Sequence, residues 1–285
     1  MDLRKEFKSF LEVNDLKQAH VARSLGLSPA VISQWLKGEY RGDNETLEKK
    51  ISQFMANFNI KRVEVQEEIV KTRDLVAAHF VMDEAVVGRE MTVLYGNPGT
   101  GKSVAIKEWV KEHPEAILIE VIPGMRVKSL LQEIARKLGI DANAKAEELV
   151  IQIAKEFKRR DGVLVIDEAE HLSVTALENV RRIWDFSRVP IILVGTYGLI
   201  KNLKGNRGEL LQLYSRIKGK WEFKELSEDD FKKLFGELAS VIKRYTTHLR
   251  RAKNLYEKAK RFASLRDEEL NASHIKSASS MIFLD

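Results

Sequence analysis

At 285 residues and 44% hydrophobic content, the chain can bury one large core or two to three small ones. It has no cysteine, which excludes disulfides, thiolate catalysis and cysteine-ligated zinc, and its six histidines show no metal-ligand spacing. Forty-eight basic against 42 acidic residues leave +6, a modest excess that suits a polyanionic partner or simply a solvated surface.

The first 60 residues read as a helical unit: apolar positions at 7, 10, 11, 16, 21, 25, 32, 36, 47 and 51 follow helical spacing. Within it, "LKQAHVARSLGLSPAVISQWLKG" supplies two short helices around a tight turn at Gly26, with Ser28 as N-cap and Pro29 at the first position of the second helix. Val31, Ile32, Trp35 and Leu36 would pack inward. Ala30, Ser33, Gln34 and Lys37 then share the opposite face, where small and amide side chains suit a major groove, and Gln18 and Arg41 flank it as candidate phosphate contacts. The same pattern also fits a small helical adaptor with a polar surface. Residues 61–67, in the stretch "FNIKRVEVQEE", are expected to be a linker.

From 68 to 222 the pattern changes to short continuous apolar runs, "MTVLY", "AILIEVI", "GVLVIDE" and "PIILVG", with helical segments between them. That alternation predicts an α/β domain on a buried parallel sheet. "GNPGTGKS" follows the first run and precedes the helix "SVAIKEWVKEH". Gly96, Asn97, Pro98, Gly99, Thr100 and Gly101 would wrap nucleotide phosphates with main-chain N–H groups. Lys102 would reach the β and γ oxygens, Ser103 would ligate Mg²⁺, and Val104 continues the helix whose N-terminus faces the anion.

The run 163–166 ends in Asp167 and Glu168, two carboxylates at the edge of the sheet where ligands of such folds bind. Asp167 suits Mg²⁺ through water. Glu168 would orient or deprotonate the attacking water, which marks a hydrolase of the γ-phosphate more than a kinase or a binding-only protein. Thr196 ends the next run, placed to touch that water or the γ-phosphate, or simply to end a strand. "KWEFKEL" is the last strand-like stretch, and residues 223–285 read as a helical lid. No apolar run approaches the roughly 18 residues that cross a bilayer, and "MDLRKEFKSF" lacks the apolar middle of a signal peptide, so no membrane is expected and the protein should stay in the cytoplasm.

These pieces, taken in order, resemble the AAA+ ATPases, and within them the family of the phage Mu B transposition protein. The resemblance covers almost the whole chain: the helix-turn-helix with "GEYRGDNETL", then "GNPGTGKS", "LVIDEAEHL", "LVGTYGLIKNLKGNRGELLQLYSRI" and "HLRRAKNLYEKA". It implies an AAA+ P-loop core with a C-terminal helical lid and an N-terminal all-α helix-turn-helix domain. Arg216 in "SRI" would be the arginine finger for a neighbour's ATP, Arg207 in "GNR" a second interface arginine, and Arg250 in "HLRR" the lid's sensor arginine. A threonine stands at 196 where the family commonly has asparagine, and the glycine that often precedes the lid arginine is absent, which leaves Arg251 as an alternative to Arg250.

The resemblance further implies ATP and Mg²⁺ as cofactors and double-stranded DNA, a DDE transposase and further copies of the chain as partners. ATP-bound copies would stack head to tail into a helical filament or ring around target DNA. Arg126 and Lys128, on the loop after "AILIEVI", lie where family members contact DNA; Lys158, Arg159 and Arg160 are weaker candidates, and the basic stretch 243–261 is a further one. Rival readings are a helicase loader on the same core, a transcriptional regulator using the helix-turn-helix, and a small-molecule P-loop kinase.

Overall fold

The computed structural model describes residues 3–63, 69–205 and 210–283. It forms two compact units, Met1–Ile69 and Val70–Asp285. Unit one has helices α1 (Leu3–Val13), α2 (Gln18–Ser24), α3 (Pro29–Lys37) and α4 (Asn44–Val63). Gly26, at φ 69°, makes the turn between α2 and α3 in a conformation that side chains resist. Ser28 occupies the N-cap position but its side chain makes no capping hydrogen bond, and Pro29 starts α3. Ile32 and Trp35 are fully buried with Phe7 and Ile51; Phe7 meets Trp35 edge-on at 5.8 Å, and Trp35 Nε1 donates to Glu48 at 3.1 Å. No residue between 57 and 63 breaks helix formation, and α4 continues into the stretch read as linker.

In unit two, α5 (Arg73–Gly88) precedes β1 (Met91–Gly96), α6 (Lys102–Glu112), β2 (Ala116–Glu120), α7 (Val127–Leu138), α8 (Ala146–Arg160) and β3 (Val163–Asp167). Then come α9 (Val174–Ser187), β4 (Ile191–Gly195), α10 (Tyr197–Lys204), α11 (Leu211–Tyr214) and β5 (Ile217–Phe223). The sheet has five parallel strands in the order β2-β3-β4-β1-β5. Both faces are covered, which is why its strands are continuously apolar. Val93, Leu164, Ile166 and Leu193 point to one side with the buried faces of α7, α8 and α9, whereas Leu94, Val163, Val165 and Val194 meet α5 and α6 on the other. Each such side chain contributes about 1.5 to 3 kcal/mol by leaving water.

The lid comprises α12 (Glu228–Phe235), α13 (Ala239–Lys243), α14 (Leu249–Leu265) and α15 (Ala272–Ser279), packed around Phe231, Phe235, Ile242, Leu255 and Ile275. Two buried aspartates fix its approach to the core. Asp74 of α5 accepts the Lys224 N–H at 2.7 Å, and Asp230, in the capping box of α12, accepts the Arg73 N–H at 2.9 Å. Burial alone raises the Asp230 pKa, but hydrogen bonds from Ser227 and the Arg73 main chain outweigh it and hold the carboxyl below its ordinary value. Among the described residues no helix is long and apolar enough to cross a membrane.

Candidate functional site: a nucleotide pocket at the sheet edge

β1 delivers the chain to Gly96, where a Cβ would stand 2.4 Å from the Phe223 carbonyl of β5, so only glycine lets these strands close at this point. The loop then turns through Gly99 and Gly101, at φ 77° and 100°, with the Thr100 hydroxyl donating to the Asn97 carbonyl at 2.9 Å. Gly101 is the N-cap of α6, and no side chain caps it. The first N–H groups of α6 are therefore left for an anion, at the positive end of the helix dipole.

Lys102 is buried, and its Nζ donates to the carbonyls of Gly96 at 2.9 Å and Asn97 at 2.8 Å. Desolvation pushes its pKa down, Glu170 and Asp167 pull the other way, and Arg250 adds to the depression. A cation stripped of water and held by two neutral carbonyls gains when phosphate oxygens replace them. Ser103 and Val104 are exposed in the first turn of α6.

Asp167 ends β3 buried, its Oδ1 accepting the Glu168 N–H at 2.9 Å. Glu168 adopts the left-handed conformation at φ 56°, which turns its exposed carboxylate out at the edge of the sheet, 3.9 Å from His171. Thr196 is the N-cap of α10; its Oγ1 accepts the Gly198 N–H at 3.2 Å, leaving its hydroxyl hydrogen to donate elsewhere. Thr196 thus follows the end of β4 and caps α10.

The lid closes over this loop. A Cβ at Gly99 would lie 2.3 Å from His248 and 3.1 Å from Arg250 Cβ, and one at Gly101 would lie 3.1 Å from Leu249. His248 Nε2 is also 2.6 Å from the Pro98 carbonyl, in position to donate to it. Arg250, not only "HLRR" in general, therefore stands at the phosphate loop. His248 escaped the sequence reading, its only signal being its place beside that arginine. Glu170 escaped it too: its Oε1 accepts the Thr196 N–H at 3.2 Å.

Arg216 lies elsewhere. Met91 pairs with Ile217 and Gly96 with Phe223, so Arg216 stands at the opposite end of the sheet from the phosphate loop. At about 3.3 Å per residue the strand alone separates them by roughly 17 Å, more than an arginine side chain spans. Arg216 is half-exposed, 3.6 Å from Asp185 and with its guanidinium 5.8 Å from the Trp184 ring. Arg207 lies outside the described residues.

In unit one, Gln18, Ser28, Ala30, Gln34, Lys37 and Arg41 are exposed, and Ser33 is half-buried. Gln18, Ser33 and Lys37 line one groove together with Arg4, Lys5 and Lys8 of α1. Arg126 and Lys128 are exposed at the start of α7. Arg159 and Arg160 share one partner, Glu156, whose pKa falls to about 2 through hydrogen bonds from Arg159 above all, so one of the cluster's three positive charges is offset. In the tail, Lys243 pairs with Glu228 at 2.6 Å and Lys260 with Glu257 at 3.1 Å.

A glycine cradle that admits no side chain, a buried ammonium on exchangeable carbonyls, an uncapped helix N-terminus and a lid with an arginine fit a nucleoside triphosphate. The AAA domain family matches residues 86–203. Among solved structures, the chain is similar to the ORC2 protein of Aeropyrum pernix in ADPNP–ADP complexes, with a TM-score of 0.60 and 16% identity over 76% of this chain and 68% of that one. It is also similar to domain III of the Thermotoga maritima replication initiation protein DnaA, with a TM-score of 0.50 and 13% identity over 74% and 92%. These likenesses concern the fold. The chain is an AAA+ ATPase.

Its curated relatives narrow the class. The chain is 29% identical over 224 residues to the Mu-like prophage FluMu DNA transposition protein B of Haemophilus influenzae, 76% of this chain and 78% of the relative. It is 26% identical over 236 residues to the ATP-dependent target DNA activator B of Escherichia phage Mu, 81% and 76%. The chain is thus similar to the Mu B transposition proteins over 76–81% of its length and carries an AAA domain.

Proposed function

We propose that this protein is an ATP-dependent, weakly sequence-selective DNA-binding ATPase that assembles on target DNA and delivers it to a DDE transposase. The names of its relatives support the transposition role. The observation that carries the assembly is the position of Arg216: it is too far along the sheet to serve its own nucleotide, so a finger role requires a second copy placed head to tail. Such contacts generate a ring if the rotation closes and a helical filament if it does not.

In this reading Lys102 and the α6 N-terminus hold the triphosphate, with Arg250 and His248 over it from the lid. Ser103 and Asp167 would hold Mg²⁺, which would supply charge neutralisation for the triphosphate. Glu168 orients the attacking water, Thr196 donates to that water or to the γ-phosphate, and Arg216 of the next copy stabilises the transition state. ATP binding then closes the interface and hydrolysis loosens it, so the nucleotide governs a reversible grip on DNA. Arg126, Lys128 and the exposed face of α3 supply DNA contacts.

The test is duplex binding with ATP, with ADP and without nucleotide across a salt series, followed by stimulation of the cognate transposase. Affinity should require ATP and fall steeply with salt, because each phosphate contact releases a counterion. Equal affinity in all three nucleotide states would remove the adhesive role of ATP, and stimulation of a helicase loading reaction in place of strand transfer would move the protein to the helicase loaders.

A further inference from the structure

Glu170 has no part in the chemistry described so far, yet its carboxylate is set against the nucleotide pocket. It lies in the short 3-10 turn Ala169–His171 that follows β3. Its main-chain carbonyl accepts Asn202 Nδ2 at 2.9 Å, which ties that turn to α10. Its Oε1 accepts the Thr196 N–H, and its Oε2 lies over Gly195, where an added Cβ would come within 2.4 Å. Gly195 pairs with Tyr95, the residue before Gly96, so this oxygen sits at the start of the phosphate loop. It is shielded from solvent and has no hydrogen-bond partner among the described residues.

A buried carboxylate oxygen with no donor is costly, and a purely structural anchor for one N–H would be served as well by a neutral side chain. That oxygen stands over Gly195, beside Tyr95 at the end of β1 where the phosphate loop begins. Thr196 in turn has a hydroxyl hydrogen left to donate, and the hydrogen bond from its main-chain N–H to the Glu170 carboxylate sets where that hydroxyl stands. A threonine hydroxyl turns freely about its bond, so its aim is fixed by its main chain and by the Gly198 contact.

We propose that Glu170 is a positioning residue for ATP hydrolysis: one carboxylate oxygen fixes Thr196 at the end of β4, and the other stands as an unpartnered acceptor over Gly195 at the start of the phosphate loop. A side chain at Gly195 would meet that carboxylate at 2.4 Å and the buried Leu199 at 3.0 Å, so glycine leaves the room that the carboxylate occupies. The inference rests on Thr196 facing the γ-phosphate.

The experiment compares Glu170→Ala, Glu170→Gln, Gly195→Ala, Thr196→Ala and the Glu170→Ala/Thr196→Ala pair in the full chain with duplex DNA. It reads kcat, KM for ATP, affinity for a fluorescent ATP analogue, and Tm. Glu170→Ala and Gly195→Ala should lower kcat by about tenfold or more while ATP affinity stays within about threefold, the signature of an interaction made in the transition state. Glu170→Gln, which keeps an acceptor for the Thr196 N–H, should fall between wild type and Glu170→Ala. The pair should be no slower than the slower single variant, because the two residues act as one unit.

Wild-type kcat in Glu170→Ala overturns the proposal, as does a loss of kcat matched by equal losses of ATP affinity and Tm. Glu170→Gln as slow as Glu170→Ala overturns the hydrogen-bonded link to Thr196, and an additive pair overturns the coupling. Wild-type kcat in Thr196→Ala sinks the Thr196 assignment beneath it; a slow Thr196→Ala beside a normal Glu170→Ala sinks this inference alone.

Discussion

Arg216 and Lys102 sit on different sides of the proposed interface, and a mixing experiment turns that geometry into a number. With roughly 17 Å of strand between its end of the sheet and the phosphate loop, Arg216 cannot complete its own pocket. Arg216→Ala should therefore lose the finger's contribution, roughly 10³ to 10⁵ in rate where such fingers act, while its fold stays close to intact. The ion pair it abandons, to Asp185 at 3.6 Å and half-exposed, contributes about 1 kcal/mol at most. Lys102→Ala should be equally inactive through loss of the nucleotide. In a one-to-one mixture, a productive interface needs an intact Lys102 on one copy and an intact Arg216 on its neighbour, so random head-to-tail stacking makes about one interface in four competent. Steady-state phosphate release with duplex DNA should thus climb from near zero to about a quarter of the wild-type rate, peaking near equal proportions. Full activity in Arg216→Ala alone refutes the reasoning, and so does absence of rescue once sedimentation shows both variants in one assembly; Arg216 would then serve only its contacts with Asp185 and Trp184.

Glu168→Gln should bind ATP normally but hydrolyse it slowly and hold DNA longer; normal turnover by steady-state assay would remove the water-orienting role. Deleting residues 1–69 should leave ATP binding and hydrolysis in place and weaken duplex binding, measured side by side; a folded truncation without ATP binding would contradict the independence of the two units. Trp35→Ala, which empties a fully buried site beside Phe7, should cost about 3 to 5 kcal/mol of unit-one stability, read by melting, and should reduce DNA binding without changing ATP affinity. Asp230 carries a depressed pKa, so its stabilisation is complete above the ordinary carboxylate value and is lost as pH falls through the lower folded value. Asp230→Asn should accordingly lower Tm at neutral pH by removing hydrogen bonds to a charged acceptor, about 1 to 3 kcal/mol, with the gap to wild type closing in acid; an unchanged gap across that range would show that the charge is immaterial.

Much of the molecule is legible in local pattern. Continuous apolar runs require a sheet covered on both faces, and the glycines of "GNPGTGKS" between a run and a helix require a phosphate loop, because both are consequences of steric freedom and burial along a few neighbouring residues. The inward face of α3, carried by Ile32 and Trp35, follows from helical spacing in the same way. The extension of α4 to Val63 was less legible, since residues 61–63 form helix readily and nothing in the sequence marks a stop.

Local pattern thus specifies the set of elements and the chemistry of each motif: strand, loop, Lys102, Asp167 and Glu168, a lid with arginines. Which distant residues share the pocket is settled by how the elements pack. Glu170 meets Thr196 because β3 and β4 are neighbours in the sheet, His248 and Arg250 meet Gly99 because the lid folds back over the loop, and Arg216 is carried to the far end because β5 runs parallel to β1. Contacts of this kind join residues 26 to about 150 positions apart. No local periodicity encodes them; they arise from strand order and layer packing, which the whole chain settles at once.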